Sequence, residues 1–405
     1  MTISKKGTAA LSSETARESM SLSELSLLLL TLMIWSHRIL LQYVESAIMR
    51  IPIIGPITEQ ITIIAYFILI VFSLPKIFSK IKATDFLFWI FVAAVYLLNF
   101  IVFPANDSYL QEHLVSFLFF VFPLYYIGLS MNYERIYPWL YRISAITIIV
   151  FTFSKLFISA PMDEVESVYQ GDMWGAYNVL PHVCVIAIGM LKKATIVNVT
   201  LSSMGIILIT FLGSRGPLIC VSLAVLVYLV LFKSFKRPVL SWGLIIATFL
   251  LVAINLENII LFLYDLADNA GLSVRVFEKF LEGSLSNPSS RNVLADKLSQ
   301  MIAENPFLGN GLFSDRVAID TYAHNIAIEL WLDFGIVLGT AILGGMLFIL
   351  AKTSLLLKKH RDYALLFIPL LFSGFIKLFL SNSYLEEMYL FLLLGVAVNF
   401  ARAHK

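Results

Sequence analysis

The stretch that decides the fold is residues 325–351, NIAIELWLDFGIVLGTAILGGMLFILA, which carries no charge after Asp333. A bilayer's hydrocarbon core of about 30 Å is crossed by an α-helix in roughly 20 residues, because each residue advances about 1.5 Å. This run is long enough to cross and too long and uniformly apolar for a barrel strand, so it reads as a transmembrane helix. Its two acids, Glu329 and Asp333, fall with Asn325 at every fourth position, which puts them on one face near its start.

The same ruler applied outward gives twelve spans, near 24–46, 53–74, 84–103, 114–131, 138–160, 175–191, 194–212, 216–232, 239–256, 325–351, 363–380 and 385–401. Composition agrees. The 405 residues are 59% hydrophobic and 14% charged, against about 25% charged in a soluble domain. A net charge of +2 is too small to suggest nucleic acid as a partner. Residues 1–22 are polar, without the apolar run and small-residue cleavage site of a signal peptide, and read as a disordered cytoplasmic tail. Residues 23–405 then form one polytopic membrane domain. Cys184 and Cys220 lie in apolar runs without metal spacing, so no disulfide is expected.

Lys and Arg set the orientation. Lys5, Lys6, Lys76, Lys80, Lys82, Lys192, Lys193, Lys233, Lys236, Lys358 and Lys359 all fall on the side of the N-terminus, whereas the short loops opposite hold only Arg50 and Arg215. Those loops are acidic: NDSYLQE (106–112), DEVESVYQGD (163–172) and NSYLEE (382–387). Both termini are therefore expected in the cytoplasm. Residues 257–323 form a long outer loop, a size more often functional than idle. Within it Val293, Leu294, Leu298, Met301 and Ile302 make one helical stripe, with a serine to cap it and Pro306 to close it. Such a helix would lie on the membrane surface or over the bundle.

Three outer residues stand out chemically. Arg215 follows Ser214 in a tight GSRGP turn, where glycines admit a ligand to the backbone and a guanidinium can grip phosphate in bidentate fashion. Its bland alternative is an interfacial anchor. Arg291 follows Ser290 at a helix start, where the dipole disfavours a cation unless an anion is bound; otherwise it is a solvated loop arginine. His324 stands where the chain re-enters the membrane and could move a proton near neutral pH, or be inert. Asn325, Glu329 and Asp333 continue below it as a polar face with Lys377 a candidate partner, unless these form a purely structural ion pair. The sequence has no Walker A, HExxH, DxD or GxSxG motif.

Three pieces in order, GSRGPL (213–218), SSR (289–291) leading to ENPFLGNGL (304–312), and AHNIAIELWLDFG (323–335), resemble the O-antigen polymerase/O-antigen ligase family of bacterial polysaccharide assembly. GAYNVLP (175–181) is weaker support. The resemblance covers roughly 210–340. It implies an all-α integral membrane protein of the GT-C type in the bacterial inner membrane, with about twelve transmembrane helices and amphipathic helices in the long extracytoplasmic loop. It implies a metal-independent glycosyltransferase that needs no cofactor and uses an undecaprenyl-pyrophosphate-linked glycan donor and a glycan acceptor. Arg215 and Arg291 would hold the pyrophosphate and His324 would act as base or position the acceptor; Ser214, Ser290, Asn325, Glu329 and Lys377 would contact substrate. Besides membrane lipids, a flippase and a chain-length regulator of the same pathway are the implied partners. Polymerase is the leading reading and ligase the nearest rival. A transporter, with Arg38, Lys155 and Lys377 along its path, would need internal repeats or paired broken helices, and the sequence shows neither.

Overall fold

The computed structural model describes residues 20–36, 58–157, 165–212, 214–232, 256–269 and 290–404. Among them the regular structure is entirely helical. In chain order the helices are α1 (Leu22–Ser36), α2 (Thr58–Phe78), α3 (Ala83–Val102), α4 (Asp107–Val115), α5 (Leu124–Ser130), α6 (Tyr133–Phe157), α7 (Val165–Lys192), α8 (Ile196–Phe211) and α9 (Arg215–Phe232). They continue with α10 (Leu256–Asn269), α11 (Ser290–Glu304), α12 (Ser314–Ile319), α13 (Ile326–Leu357), α14 (Arg361–Leu370) and α15 (Met388–Ala403). Among the described residues helix falls within eleven of the twelve segments read from sequence, whereas 37–46, 53–57, 158–160 and 239–255 of those segments lie outside the described residues. Seven stretches among the described residues are long and apolar enough to cross a membrane by themselves, and α1, α8, α9 and α15 are shorter apolar helices.

Burial sorts these helices into centre and periphery. The apolar windows Trp174–Lys192 of α7 and Arg361–Phe379, which opens with α14, are each 78% buried, those of α2 and α3 only 11% and 17%. In α7 the side chains of Ala176, Val179, Leu180, Val183 and Cys184 are wholly enclosed, and so apolar a helix can only be a core helix or a lipid-facing one. Outward, Phe67, Leu87, Phe91, Ile101 and Phe348 stay exposed, as lipid requires. Cys184 and Cys220 are buried free thiols.

One end of the bundle is laced by ion pairs: Lys76 and Arg135 on Glu24, Lys192 on Asp362, and Arg402 forked onto Asp85 at 2.6 and 2.8 Å. At the opposite end the long loop folds back onto α13. Leu298 and Ile302 of α11 bury against Leu332 of α13, so this helix covers the bundle rather than floating beside it.

The loop and α13 meet backbone to backbone. α13 breaks at Gly335, whose φ of 75° only glycine adopts freely. The N–H of Ile336 donates to Pro306 O at 2.7 Å, and that of Asn310 to Leu332 O at 2.6 Å. A Cβ on Gly335 would stand 2.3 Å from Phe307 O, and one on Gly309 2.6 Å from Gly335 N. The NPFLGNG and DFG motifs are therefore two halves of one joint. The sequence reading anticipated no broken helix; this break follows from the glycine and its contacts.

Candidate active site

The re-entrant loop is built around Arg316. On the short helix α12, flanked by left-handed Phe313 (φ 65°) and Asp320 (φ 52°), Arg316 is almost wholly buried. Its Nη1 donates to both carboxylate oxygens of Asp315 at 2.8 Å and to Glu329 Oε1 at 3.0 Å, while Nη2 reaches Glu386 Oε1 at 3.0 Å. Burial opposes its charge, but the carboxylates of Glu329, Asp315 and Glu386 outweigh this and hold the guanidinium above its already high ordinary pKa. Asp315 Oδ2 in turn accepts the N–H of Ala323 at 2.8 Å, fixing the residue before His324.

His324 itself sits half-buried with φ 56°, its ring 4.3 Å from that of Tyr322. Asn325 Oδ1 accepts the N–H groups of Ala327 and Ile328, making it the cap of α13. Glu329 also accepts from Ser383 Oγ and from Tyr384 N, and Asp333 accepts from Tyr384 Oη at 2.6 Å. The expected partnership of this polar face with Lys377 is corrected: Glu329 pairs with Arg316, and Lys377 pairs with Glu387, itself held by Asn382 Nδ2 at 2.5 Å. The reason is local. After Pro369 the helix changes pitch through a π turn (Leu371–Phe375) and a 3-10 turn (Ile376–Phe379), which ends with Lys377 facing the 382–387 loop.

His324 and Lys377 line one cavity of about 1700 Å³. Tyr177, Asn178, Tyr322, Ser381, Asn382 and Glu386 add polar groups to its lining, and Leu30, Ile34, Ile70, Leu74, Phe119 and Phe120 are among its apolar ones. Glu329 does not reach this wall; it is buried under Arg316 among protein partners. Ser214 is buried just before α9. Arg215 is the first residue of α9, and Ser290 and Arg291 open α11, but these three side chains, like those of Arg38 and Lys155, lie outside the described ones.

Sequence reasoning missed Asp315, Arg316, Glu386 and Glu387, and also His113, whose ring stacks on Phe313 at 4.9 Å and lines the cavity. One signal was available: Arg316 is a basic residue on the acidic side of the chain, followed by a helix bearing two buried acids.

A helical bundle with several helices long and apolar enough to span, enclosing a cavity lined by both charged and apolar side chains, marks a multi-pass membrane protein. Residues 200–344 match the family model described as O-antigen ligase, a stretch that runs from α8 into α13 and contains Arg215, Arg291, Arg316 and His324. The match covers about a third of the chain and supports the resemblance to the O-antigen ligase/polymerase family that the motifs carry, and the apolar helices agree with a multi-pass bacterial inner-membrane protein. No curated protein matches the chain.

Proposed function

We propose that this chain polymerises undecaprenyl-pyrophosphate-linked repeat units into O-antigen, capsule or exopolysaccharide on the outer face of the membrane. The observation that carries this reading is the cavity, where an imidazole and an ammonium stand in a lining that is otherwise largely apolar. A polyprenyl tail suits the apolar side chains and a diphosphate with its sugars the polar groups. The outer location rests on the basic bias of the loops.

In this reading the acceptor hydroxyl oxygen attacks the anomeric carbon of the donor. The bond from that carbon to the pyrophosphate oxygen breaks, and the pyrophosphate departs with the electron pair. The hydroxyl proton passes to the His324 ring. Charge growing on the leaving group is met by Arg215 and Arg291, with Lys377 nearby. The family description favours one second reading, ligation of the finished chain onto lipid A-core by the same chemistry. Deletion of the gene followed by a surface glycan gel decides between them. A polymerase leaves a single repeat on the core, a ligase leaves bare core with lipid-linked chains accumulating, and an unchanged ladder refutes both.

A further inference from the structure

Trp174, Tyr177 and Asn178 of α7 stand at positions i, i+3 and i+4, which share one helix face, and all three line the cavity beside Lys377. Asn178 is only 4% exposed, and its amide nitrogen has no hydrogen-bond partner among the described residues. A buried donor left unmade is costly, and in the wall of a binding space it marks where a ligand supplies the acceptor. Trp174 is about half exposed, at 47%, one helical turn further toward the end where the long loop folds over the bundle. Between the two, the Tyr177 hydroxyl presses on the start of α9 so closely that a Cβ on Gly216 would lie 2.0 Å from it. The ammonium of Lys377 stands 6.0 Å from the centre of the Tyr177 ring. Tyr177 thereby joins this face to the GSRG turn that carries Arg215 and to the cavity's cation.

We propose that Trp174, Tyr177 and Asn178 form a carbohydrate subsite, which holds the pyranose attached directly to the pyrophosphate of the lipid-linked donor. This rests on the reading of the cavity as the donor site. The division of labour follows from chemistry. Cations hold the diphosphate, an indole offers its flat face to the C–H face of a sugar ring, and an amide donor meets a ring substituent oxygen. Tyr177 is the positioning residue, since it spaces the sugar from the turn that grips phosphate. An interfacial tryptophan alone would be unremarkable; the orphaned Asn178 donor on the same face is what points to a ligand.

The test measures binding to the full-length protein in detergent of two short-chain polyprenyl pyrophosphates, one bare and one carrying a single hexose or N-acetylhexosamine. The wild type should bind the sugar-bearing probe more tightly. Trp174→Ala and Asn178→Ala should each remove roughly tenfold of that advantage, the worth of about one hydrogen bond or stacked ring, while affinity for the bare probe stays the same and so reports an intact fold. Tyr177→Phe should retain the preference better than Tyr177→Ala, which loses the ring as well as the hydroxyl. Equal loss of affinity for both probes in the Trp174 and Asn178 variants would overturn the subsite, as would a wild type that does not distinguish the probes. A wild type that binds neither probe would bring down the donor-site reading itself.

Discussion

Arg316 and Glu329 are 13 residues apart in the chain and 3.0 Å apart in space, and their ion pair bolts the long loop onto the first turn of α13. Through Asp315 the same arginine fixes Ala323, so the geometry of His324 depends on a side chain that does not line the cavity. Each element serves the next: a short helix seats the arginine, the arginine seats the loop, and the loop presents the imidazole.

Arg316→Ala should therefore destabilise the protein strongly. Removing one member of a buried pair leaves charge uncompensated, at a cost of about 3–5 kcal/mol, and here Asp315 and Glu329 are both left. Thermal unfolding in detergent measures it. Arg316→Lys should recover only part, because one ammonium cannot span the three carboxylates that the guanidinium fork reaches.

His324 separates stability from activity. Its φ of 56° is tolerated by histidine and free for glycine. His324→Gly should be at least as stable as His324→Ala, yet both should lose about two to four orders of magnitude in turnover, the usual range for loss of a general base. Donor binding should change little. A chelator should have no effect. Inhibition by chelator that added metal reverses would refute the metal-free mechanism.

Arg215→Ala and Arg291→Ala should each abolish chain extension while the protein still inserts in the membrane. Lysine at either position should rescue poorly, since a point charge does not reproduce a bidentate grip. Glycan gels read alongside membrane-fraction immunoblots report both halves of the expectation, and full activity of either alanine variant removes that residue from the site.

Orientation is testable separately. Single cysteines placed near Asp107, Asp163 and Ser284 should react with an impermeant maleimide in outer-permeabilised cells, and those near Lys80, Lys236 and Lys359 should not. Labelling of the second set would invert the topology.

Gly335→Ala should be among the most damaging single-methyl changes in the chain. It adds left-handed strain of about 1–3 kcal/mol to a contact of 2.3 Å with Phe307 O that the loop cannot relieve without breaking the Ile336–Pro306 hydrogen bond. Its yield of folded protein, followed by size-exclusion chromatography, should fall well below that of Gly344→Ala, where a Cβ meets nothing within 4 Å.

The helices were legible because lipid enforces long apolar runs, and the start of α11 was legible because Ser290 precedes a stripe that ends in buried Leu298 and Ile302. His324 could be singled out by its place at the membrane boundary. The partners could not. Lys377 has acids at several sequence distances, and which one it meets depends on the change of pitch after Pro369. Arg316 resembled any loop arginine until folding brought Glu329 and Glu386 to it, contacts separated by 13 and 70 residues that no periodicity encodes.

The joint between Gly309 and Gly335 also bears on how substrate can come and go. Loop and helix share two backbone hydrogen bonds there, so residues 305–311 cannot shift against the broken turn of α13 without breaking them. On the proposed donor reading, a prenyl tail then meets the cavity without that piece lifting, against the apolar wall that Leu30 and Ile34 of α1 and Ile70 and Leu74 of α2 give it. On that reading the bilayer is the reservoir, and supply is a two-dimensional search. Turnover on scarce donor should track membrane viscosity rather than the viscosity of the surrounding water.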